Sequence, residues 1–224
     1  MSSKVSKVLL LFLFLYYCTN HTATALSCFP ADAAALLKLK RSFLDPNLTS
    51  WRRGTDCCRW EAVACDAASG RVAALDLGGR GLRAWGIDPV LFNLTALRNL
   101  SMADADFMGG RLPSFGFELL TEMVHLDFSF NTNLFGQLPI GIARLRKLVT
   151  LDFSNFNDYP YPILFLEEPS FETLIANLSS LIELHLDGVD ISSNGGACSS
   201  RSTALCGYCS MLACGIGVFG HMLF

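Results

Sequence analysis

Apolar residues alternate with polar ones in several short segments of this chain, and these segments recur at regular intervals. Five of them share the order leucine, any residue, apolar residue, and their first leucines are Leu75, Leu100, Leu126, Leu151 and Leu184. The intervals between these leucines are 25, 26, 25 and 33 residues. Because successive side chains of a β-strand point to opposite faces, each segment predicts a short strand with its leucine inward and its polar neighbours outward.

Upstream of four of these strands, two apolar residues stand three positions apart. They are Leu94 and Leu97, Leu120 and Met123, Leu145 and Leu148, and Leu178 and Leu181. A single unit of this kind cannot bury its own leucines, whereas stacked units bury them and pair their strands as a parallel sheet. The pattern predicts an α/β fold, a leucine-rich-repeat solenoid of about five repeats over residues 72–194 with the parallel β-sheet on its concave face.

The last interval is longer than the others and predicts a loop insertion near residues 156–172. The insertion begins with the Pro- and Tyr-rich sequence 157–162. Long aromatic loops on a rigid scaffold are common contact sites. An insertion that packs its own aromatic side chains explains the sequence equally well, so both interpretations remain open.

A polar residue is expected inside the turn that follows the third strand. Asn131 lies where the chain leaves the sheet, and its amide is expected to satisfy backbone groups that the turn leaves unpaired. The other repeats lack asparagine at the corresponding position, which predicts looser turns there.

Residues 26–71 precede the first repeat and predict a helical cap. Asp32 is a suitable N-cap for a helix that runs to about Leu44, because leucines recur at helical spacing after it. The first repeat of a solenoid exposes one apolar face, and this cap is expected to cover it. Trp51 and Trp60 are the predicted packing residues of the cap.

Residues 1–25 have the composition of a signal peptide. Lys4 and Lys7 form a positive segment, an apolar run follows at 8–17, and small residues at 23–25 form a cleavage site. An apolar helix of ten residues spans about 15 Å, half of the roughly 30 Å of a bilayer core, so an uncleaved anchor is the less favoured alternative. The signal peptide predicts the secretory pathway, with a final location at the cell surface or outside the cell.

Residues 195–224 form an irregular apolar tail, and the last 20 of them contain no Lys, Arg, Asp or Glu. Three interpretations remain open: a truncated or misread gene product, a short membrane span, or a lipid-anchor signal at Ser199 and Ser200. The first is favoured, because several glycines weaken a span and the polar spacer of an anchor signal is short. No pairing is predicted for the cysteines of the tail, which are Cys198, Cys206, Cys209 and Cys214.

Four other cysteines lie in the cap. Cys28, Cys57, Cys58 and Cys65 allow three disulfide pairings, which the spacing alone does not distinguish. A metal site is the competing interpretation, but it lacks a nearby His and a second Cys-x-x-Cys, and the compartment is oxidising. Neither a metal nor a cofactor is therefore predicted.

Four Asn-x-Ser/Thr sequences follow the signal peptide and predict N-glycosylation at Asn47, Asn93, Asn99 and Asn177. In a secreted chain each of these asparagines is expected at the surface. Asn99 also lies on a predicted strand, so its glycan would share the concave face with any ligand.

The sequence contains no recognisable catalytic set. His125 and His185 occupy outward strand positions without a nucleophile motif, and neither a phosphate-binding glycine loop nor the motifs of a protein kinase are present. The formal net charge of −3 offers no basic surface for nucleic acid. The chain is predicted not to be an enzyme and not to bind nucleic acid.

The outward positions of the strands, together with the turns after them, form the candidate concave binding face. Its residues are Asp76, Ser101, Asp104, His125, Asp127, Phe130, Asp152, Glu183, His185 and Asp187. Six of the ten are acidic and none is Lys or Arg, which predicts attraction for a basic protein or peptide. The alternative, which we favour at this point, is that aspartate after the core leucine is a framework residue of the repeat.

The cap carries a resemblance to a known family. The residue groups are Cys28-x-x-x-Asp32 with Leu36-Leu37, Leu48-x-x-Trp51, Asp56-Cys57-Cys58-x-Trp60, Val63-x-Cys65-Asp66 and Gly70-x-Val72. Their order resembles the amino-terminal cap of plant leucine-rich-repeat receptor-like proteins, and the Gln-Leu-Pro ending at 137–139 is similar to their repeats. The resemblance covers roughly residues 28–193. It departs at Glu61-Ala62, where such caps usually carry Gly before the Val, so the alanine is expected to shift that turn.

The resemblance implies disulfides between Cys28 and Cys57 and between Cys58 and Cys65. It also implies the amino-terminal part of an extracellular receptor that recognises a protein or peptide in plant defence or surface signalling. Such ectodomains lack a kinase, which implies a co-receptor kinase as partner, and membrane association would come from the full-length form or the apolar tail. The alternatives are a secreted inhibitor of a microbial cell-wall-degrading enzyme, similar to the polygalacturonase-inhibiting proteins, and, more remotely, a hydrolase that uses His125.

Overall fold

The computed structural model of the protein describes residues 27–44, 46–131, 133–155 and 164–191, and the backbone of 222–223. In chain order its elements are α1 (Pro30–Ser42), β1 (Phe43–Leu44), a 3₁₀ helix (Cys57–Arg59), β2 (Val63–Cys65), β3 (Val72–Asp76), β4 (Arg83–Ala84), a 3₁₀ helix (Pro89–Asn93), β5 (Asn99–Ser101), a 3₁₀ helix (Phe117–Leu119), β6 (His125–Asp127), β7 (Gly136–Gln137), a 3₁₀ helix (Ile140–Arg144), β8 (Thr150–Asp152), β9 (Leu164–Phe165), α2 (Phe171–Asn177), β10 (Glu183–His185), β11 (Val189–Asp190) and β12 (Met222–Leu223). The predicted signal peptide, the loop at 157–162 and the cysteines of the tail lie outside the described residues.

The five predicted strands form the centre of the main sheet. Its order is β12-β10-β8-β6-β5-β3-β2, in which β3, β5, β6, β8 and β10 pair in parallel. The five core leucines lie in register across these strands, at positions 75, 100, 126, 151 and 184. Each of them is buried. The predicted leucine-rich-repeat solenoid is confirmed, because the leucine of each repeat packs between those of its neighbours.

Short helical segments form a second layer behind the sheet. Each packs against the next along the chain, from α1 through the 3₁₀ helices that begin at Pro89, Phe117 and Ile140 to α2. Phenylalanines fill the space between the layers. The rings of Phe92 and Phe117 lie 5.0 Å apart, and that of Phe128 lies 6.0 Å from Phe117 and 5.5 Å from Phe153. This column of rings links three repeats and their helical segments into one core.

A second, smaller sheet lies where the chain leaves the main sheet. Its strands β7, β9 and β11 are parallel, with β9 in the middle. Part of the predicted insertion is therefore regular structure, because β9 comes from residues 164–165. Leu164 and Leu166 are both buried, so this part of the insertion packs into the repeat. Among the described residues, no helix is long and apolar enough to cross a membrane.

The helix of the cap differs from the prediction at both ends. α1 begins at Pro30, with Phe29 in the N-cap position, and ends at Ser42 before the chain enters β1. The prediction that Asp32 caps this helix is wrong. Its carboxylate is buried and accepts hydrogen bonds from Arg71 Nε at 2.8 Å and from the backbone N of Val72 at 2.9 Å. Asp32 therefore joins α1 to the first strand of the solenoid.

The disulfides of the cap follow the pairing that the resemblance implies. Cys28 is bonded to Cys57, and Cys58 is bonded to Cys65. The two predicted packing residues, Trp51 and Trp60, are both buried, and their rings stack on each other 5.7 Å apart. Each indole N–H is satisfied, since Trp51 Nε1 donates to the carbonyl of Glu61 and Trp60 Nε1 donates to the hydroxyl of Thr55.

Ala62 explains the glycine that similar caps carry before the Val. Its φ is +66°, in the left-handed region where glycine has no steric penalty. An alanine in this conformation carries a small conformational cost that a glycine does not.

Asn131 has the predicted role inside the turn after β6. Its Oδ1 accepts from the backbone N of Ala105 at 2.8 Å, and its Nδ2 donates to the carbonyls of Met102 and Phe128 at 3.0 and 2.9 Å. The next repeat has an asparagine in a similar place that position counting does not find. Asn155 Nδ2 donates to the carbonyl of Asn131 at 2.9 Å. Two successive turns are thus joined through buried amides, although the buried Oδ1 of Asn155 has no hydrogen-bond partner among the described residues.

Candidate functional site

Two rows of polar side chains cross the concave face of the main sheet. Strand register places the first row at Ala74, Asn99, His125, Thr150 and Glu183. It places the second row at Asp76, Ser101, Asp127, Asp152 and His185. Seven of the ten predicted face residues belong to these rows. Neighbours within a row come from adjacent strands, which lie only about 4.8 Å apart in a parallel sheet. The other three, Asp104, Phe130 and Asp187, lie in the turns after the strands.

The second row has a structural task in each repeat. Asp127 Oδ1 accepts from the backbone N of Ser129 at 2.9 Å and from its hydroxyl at 2.7 Å. Asp152 Oδ1 accepts from Ser154 in the same way, at 2.7 and 2.6 Å. Both serines are buried beneath the face. Aspartate after the core leucine therefore closes the turn that follows the strand, which supports the framework interpretation for one carboxylate oxygen of each residue.

The first row is hydrogen-bonded across three repeats. Nδ1 of His125 lies 3.1 Å from the hydroxyl of Thr150, and that hydroxyl donates to Glu183 Oε2 at 3.4 Å. An ionised carboxylate only accepts, so the hydroxyl proton is directed to Glu183. The hydroxyl oxygen then accepts from the Nδ1–H of His125, which leaves the other ring nitrogen on the exposed side of the row.

Charge is distributed unevenly along the solenoid. Residues 27–111 contain 11 Lys and Arg against 9 Asp and Glu, whereas residues 112–191 contain 3 against 11. The second row contains no Lys or Arg to balance its carboxylates. The pKa of Asp152 is raised above its ordinary value, chiefly by burial and also by the neighbouring carboxylate of Asp127. The hydrogen bonds from Ser154 lower this pKa and offset part of the rise. The carboxyl-terminal half of the concave face is thus the more acidic half.

Asp104 and Phe130 occupy equivalent places in successive turns. The backbone N of Asp104 donates to the carbonyl of Ser129 at 3.0 Å, which places the two turns side by side. Both residues have a left-handed backbone, with φ of +53° for Asp104 and +58° for Phe130. The same position in two other repeats is occupied by Gly79 and Gly188, also with positive φ. Counting four residues from each core leucine would have revealed this requirement in the sequence.

Replacing Phe130 by glycine is expected to leave the fold about 1 kcal/mol more stable than replacing it by alanine. A left-handed backbone costs an L-residue roughly 1–2 kcal/mol and costs glycine little, although glycine also gains freedom in the unfolded chain. The Phe130 side chain is 50% exposed, so the packing of its buried half is lost in glycine and alanine variants alike, and the gain of about 1 kcal/mol is measured relative to alanine. Phe130→Ala is the matched control, because it removes the ring but keeps the strained backbone. Urea unfolding that finds Phe130→Gly no more stable than Phe130→Ala would contradict this explanation.

The four predicted glycosylation sites are compatible with modification. Asn47, Asn93, Asn99 and Asn177 are all exposed. The sulfurs of Cys28, Cys57 and Cys58 lie within 4.8 Å of one another, which is a spacing that a metal ion could bridge. All three are joined in disulfides, so none offers the thiolate that a metal would require.

Known proteins resemble both the cap and the repeats. The family described as "Leucine rich repeat N-terminal domain" matches residues 29–66. Receptor-like protein 6 of Arabidopsis thaliana is 32% identical over 216 residues, which cover 86% of this chain and 21% of that protein. The chain therefore spans about a fifth of the length of this curated relative.

Solved structures share the fold. A plant ice-binding protein has a TM-score of 0.61 and 27% identity, covering 73% of this chain and 50% of its own. A chain in the crystal structure of the BIR3–SERK2 complex from Arabidopsis thaliana has a TM-score of 0.55 and 26% identity, covering 69% of this chain and 80% of its own. The resemblance seen in the sequence is confirmed: in its cap and repeats, the chain matches the amino-terminal part of the plant leucine-rich-repeat receptor-like proteins.

Proposed function

We propose that this chain is an extracellular recognition region of a plant receptor-like protein, which binds a protein or peptide on its concave face in surface signalling or defence. The observation that carries the proposal is the pair of ordered polar rows on that face. Their side chains are held by hydrogen bonds between repeats, so the face is organised before a ligand arrives. Repeat proteins commonly use such extended concave surfaces for binding.

The chemistry of the face favours a basic partner. Asp127 accepts hydrogen bonds at both carboxylate oxygens, from Ser129 at Oδ1 and from the hydroxyl of Ser101 at Oδ2, and Asp152 accepts from Ser154 at Oδ1. These bonds leave the negative charges in place. The rows contain no Lys or Arg, and the repeats around them carry a strong excess of acidic residues. Complementary charge raises the rate of association and selects among partners. The framework and ligand interpretations of the acidic stripe are therefore compatible.

A second partner is proposed to be a co-receptor kinase at the cell surface. The resemblance to the plant receptor-like proteins supports such a partner, because that family pairs its ectodomains with co-receptor kinases. A similar ectodomain fold occurs in the BIR3–SERK2 complex, which joins two proteins. The cap and repeats of this chain supply a comparable rigid surface for such a contact.

The proposal is tested with the secreted protein and two octapeptides, one of alternating Arg and Ser and one of alternating Glu and Ser. We expect binding of the arginine peptide alone, and weaker binding as the salt concentration rises. The double variant Asp127→Asn and Asp152→Asn keeps the oxygens that close the turns and removes two charges, so we expect about a tenfold loss of affinity.

The matched control is the double variant Glu167→Gln and Glu168→Gln, which changes the net charge equally on exposed residues away from the two rows. It is expected to bind nearly as well as the unmodified protein. Equal losses in both double variants, or equal binding of both peptides, would show that the concave rows do not select a basic ligand.

A further inference from the structure

Asn99 differs from the other predicted glycosylation sites in its position. It lies on β5, in the first polar row, with Ala74 on one side and His125 on the other. Asn93 and Asn177 are the last residues of helical segments, in the layer behind the sheet, and Asn47 belongs to the cap. Among these four asparagines, all of which are described, only Asn99 is on the concave face.

The surroundings of Asn99 leave room for a sugar. The neighbouring positions on the amino-terminal side are small, namely Ala74, Gly78 and Ala103. A Cβ added at Gly78 would lie 2.8 Å from the hydroxyl of Ser101 and 3.6 Å from the Cβ of Ala103, so the floor beside the sequon is low and close-packed. A sugar on Asn99 therefore has a small side chain, that of Ala74, directly beside it on the amino-terminal side.

On the other side of Asn99 the side chains of the face are larger, polar and hydrogen-bonded to one another. His125 is exposed, and it begins the hydrogen-bonded row that continues through Thr150 to Glu183. Adjacent strands are only about 4.8 Å apart, so the first sugar on Asn99 comes within contact distance of the imidazole. Asn99 thus lies between the small residue Ala74 and the hydrogen-bonded row that begins at His125.

We propose that an N-linked glycan on Asn99 covers the amino-terminal end of the concave face and confines ligands to the part that begins at His125. The inference rests on the proposed function, because it assigns the ligand to one part of the same face. It gives this glycan a task that the glycans on Asn93 and Asn177 do not share, since those point away from the binding face.

The first test is the occupancy of the site. Trypsin cuts after Arg98 and Arg111, so Asn99 lies on a peptide separate from the one that contains Asn93. Protein secreted from plant cells is digested, and enzymatic deglycosylation in heavy-oxygen water marks each asparagine that carried a glycan. We expect the mark on Asn99. An unmodified peptide 99–111 in the secreted protein would overturn the proposal.

The second test measures the cover itself without any ligand. Diethylpyrocarbonate reacts with accessible imidazoles, and His185, two strands from His125, serves as the internal reference. In Asn99→Gln the reaction of His125 relative to His185 is expected to rise several-fold. Ser101→Ala, which removes the sequon but keeps Asn99, is expected to behave alike, whereas Asn93→Gln is expected to leave the ratio unchanged.

An occupied Asn99 with an unchanged reaction at His125 in both variants would overturn the cover. Neither readout uses a peptide, so failure of the arginine peptide to bind would count against the proposed function alone. Conversely, the selective arginine peptide could bind Asn99→Gln and the glycosylated protein with equal affinity. That result would leave the proposed recognition standing and would overturn the confinement of ligands by the glycan.

Discussion

Replacing Asp32 by alanine is expected to lower the free energy of unfolding by about 3 kcal/mol, the lower end of the range for removing one partner of a buried ion pair. The Asp32 side chain is 2% exposed and that of Arg71 is 27% exposed. The variant leaves the backbone N–H of Val72 without its acceptor and the guanidinium without its counter-charge. Because Arg71 retains some contact with water, the loss stays at the low end.

Urea-induced unfolding of the purified protein measures this loss without screening the ion pair. The control is Glu122→Ala, which removes an ion pair of 2.7 Å to Lys147 whose side chains are 44% and 57% exposed. Pairs of that kind contribute about 0–1 kcal/mol. Asp32→Asn keeps an acceptor for Val72 and should fall between the two. If Asp32→Ala and Glu122→Ala had equal effects, the link between α1 and β3 would not be a stabilising contact.

The second large effect is expected for Asn131→Ala, again about 3 kcal/mol, because each buried group left without a partner costs roughly 1–3 kcal/mol. The substitution removes three hydrogen bonds at once and leaves the N–H of Ala105 and two carbonyls unpaired. Exposed Asn133, whose amide donates to Asp106, is the control, and its replacement by alanine should cost well under half as much.

Hydrogen exchange adds a local readout for the same variant. The amide of Ala105 is expected to exchange faster in Asn131→Ala at conditions where the remainder of the sheet stays protected, because only its own acceptor has been removed. Unchanged protection of Ala105 would mean that the bond from this amide to Asn131 does not hold the turn.

The sequence predicted the parts of the fold that depend on period. The core leucines identify the strands because stacked repeats bury one leucine per repeat at equivalent positions. These leucines recur at intervals of 25 or 26 residues, which is typical of leucine-rich repeats. The disulfides came from the resemblance, since spacing alone allowed three pairings. The same strand period placed seven of the ten candidate face residues in the two rows that the strand register gives, and the other three lie in the turns after the strands.

The misassigned residues have a common physical origin. Asp32 suits an N-cap by local rules, but its partner Arg71 is 39 residues away, and no local pattern reports such a contact. Asn155 was missed because it stands four residues after its core leucine, Leu151, whereas Asn131 stands five residues after Leu126. The sequence did not predict the left-handed backbone of Phe130, because phenylalanine does not favour positive φ. Gly79 and Gly188, at the equivalent position of two other repeats, do favour it.

The antiparallel pairing of β2 with β3 has a consequence for folding in the cell. A parallel ladder that ends in an open strand is a template for further pairing, and β2 occupies that edge at the start of the solenoid. The Cys58–Cys65 disulfide fixes the end of β2. Oxidation of the cap therefore does more than join two cysteines, because it holds in place the strand that covers the amino-terminal edge of the main sheet.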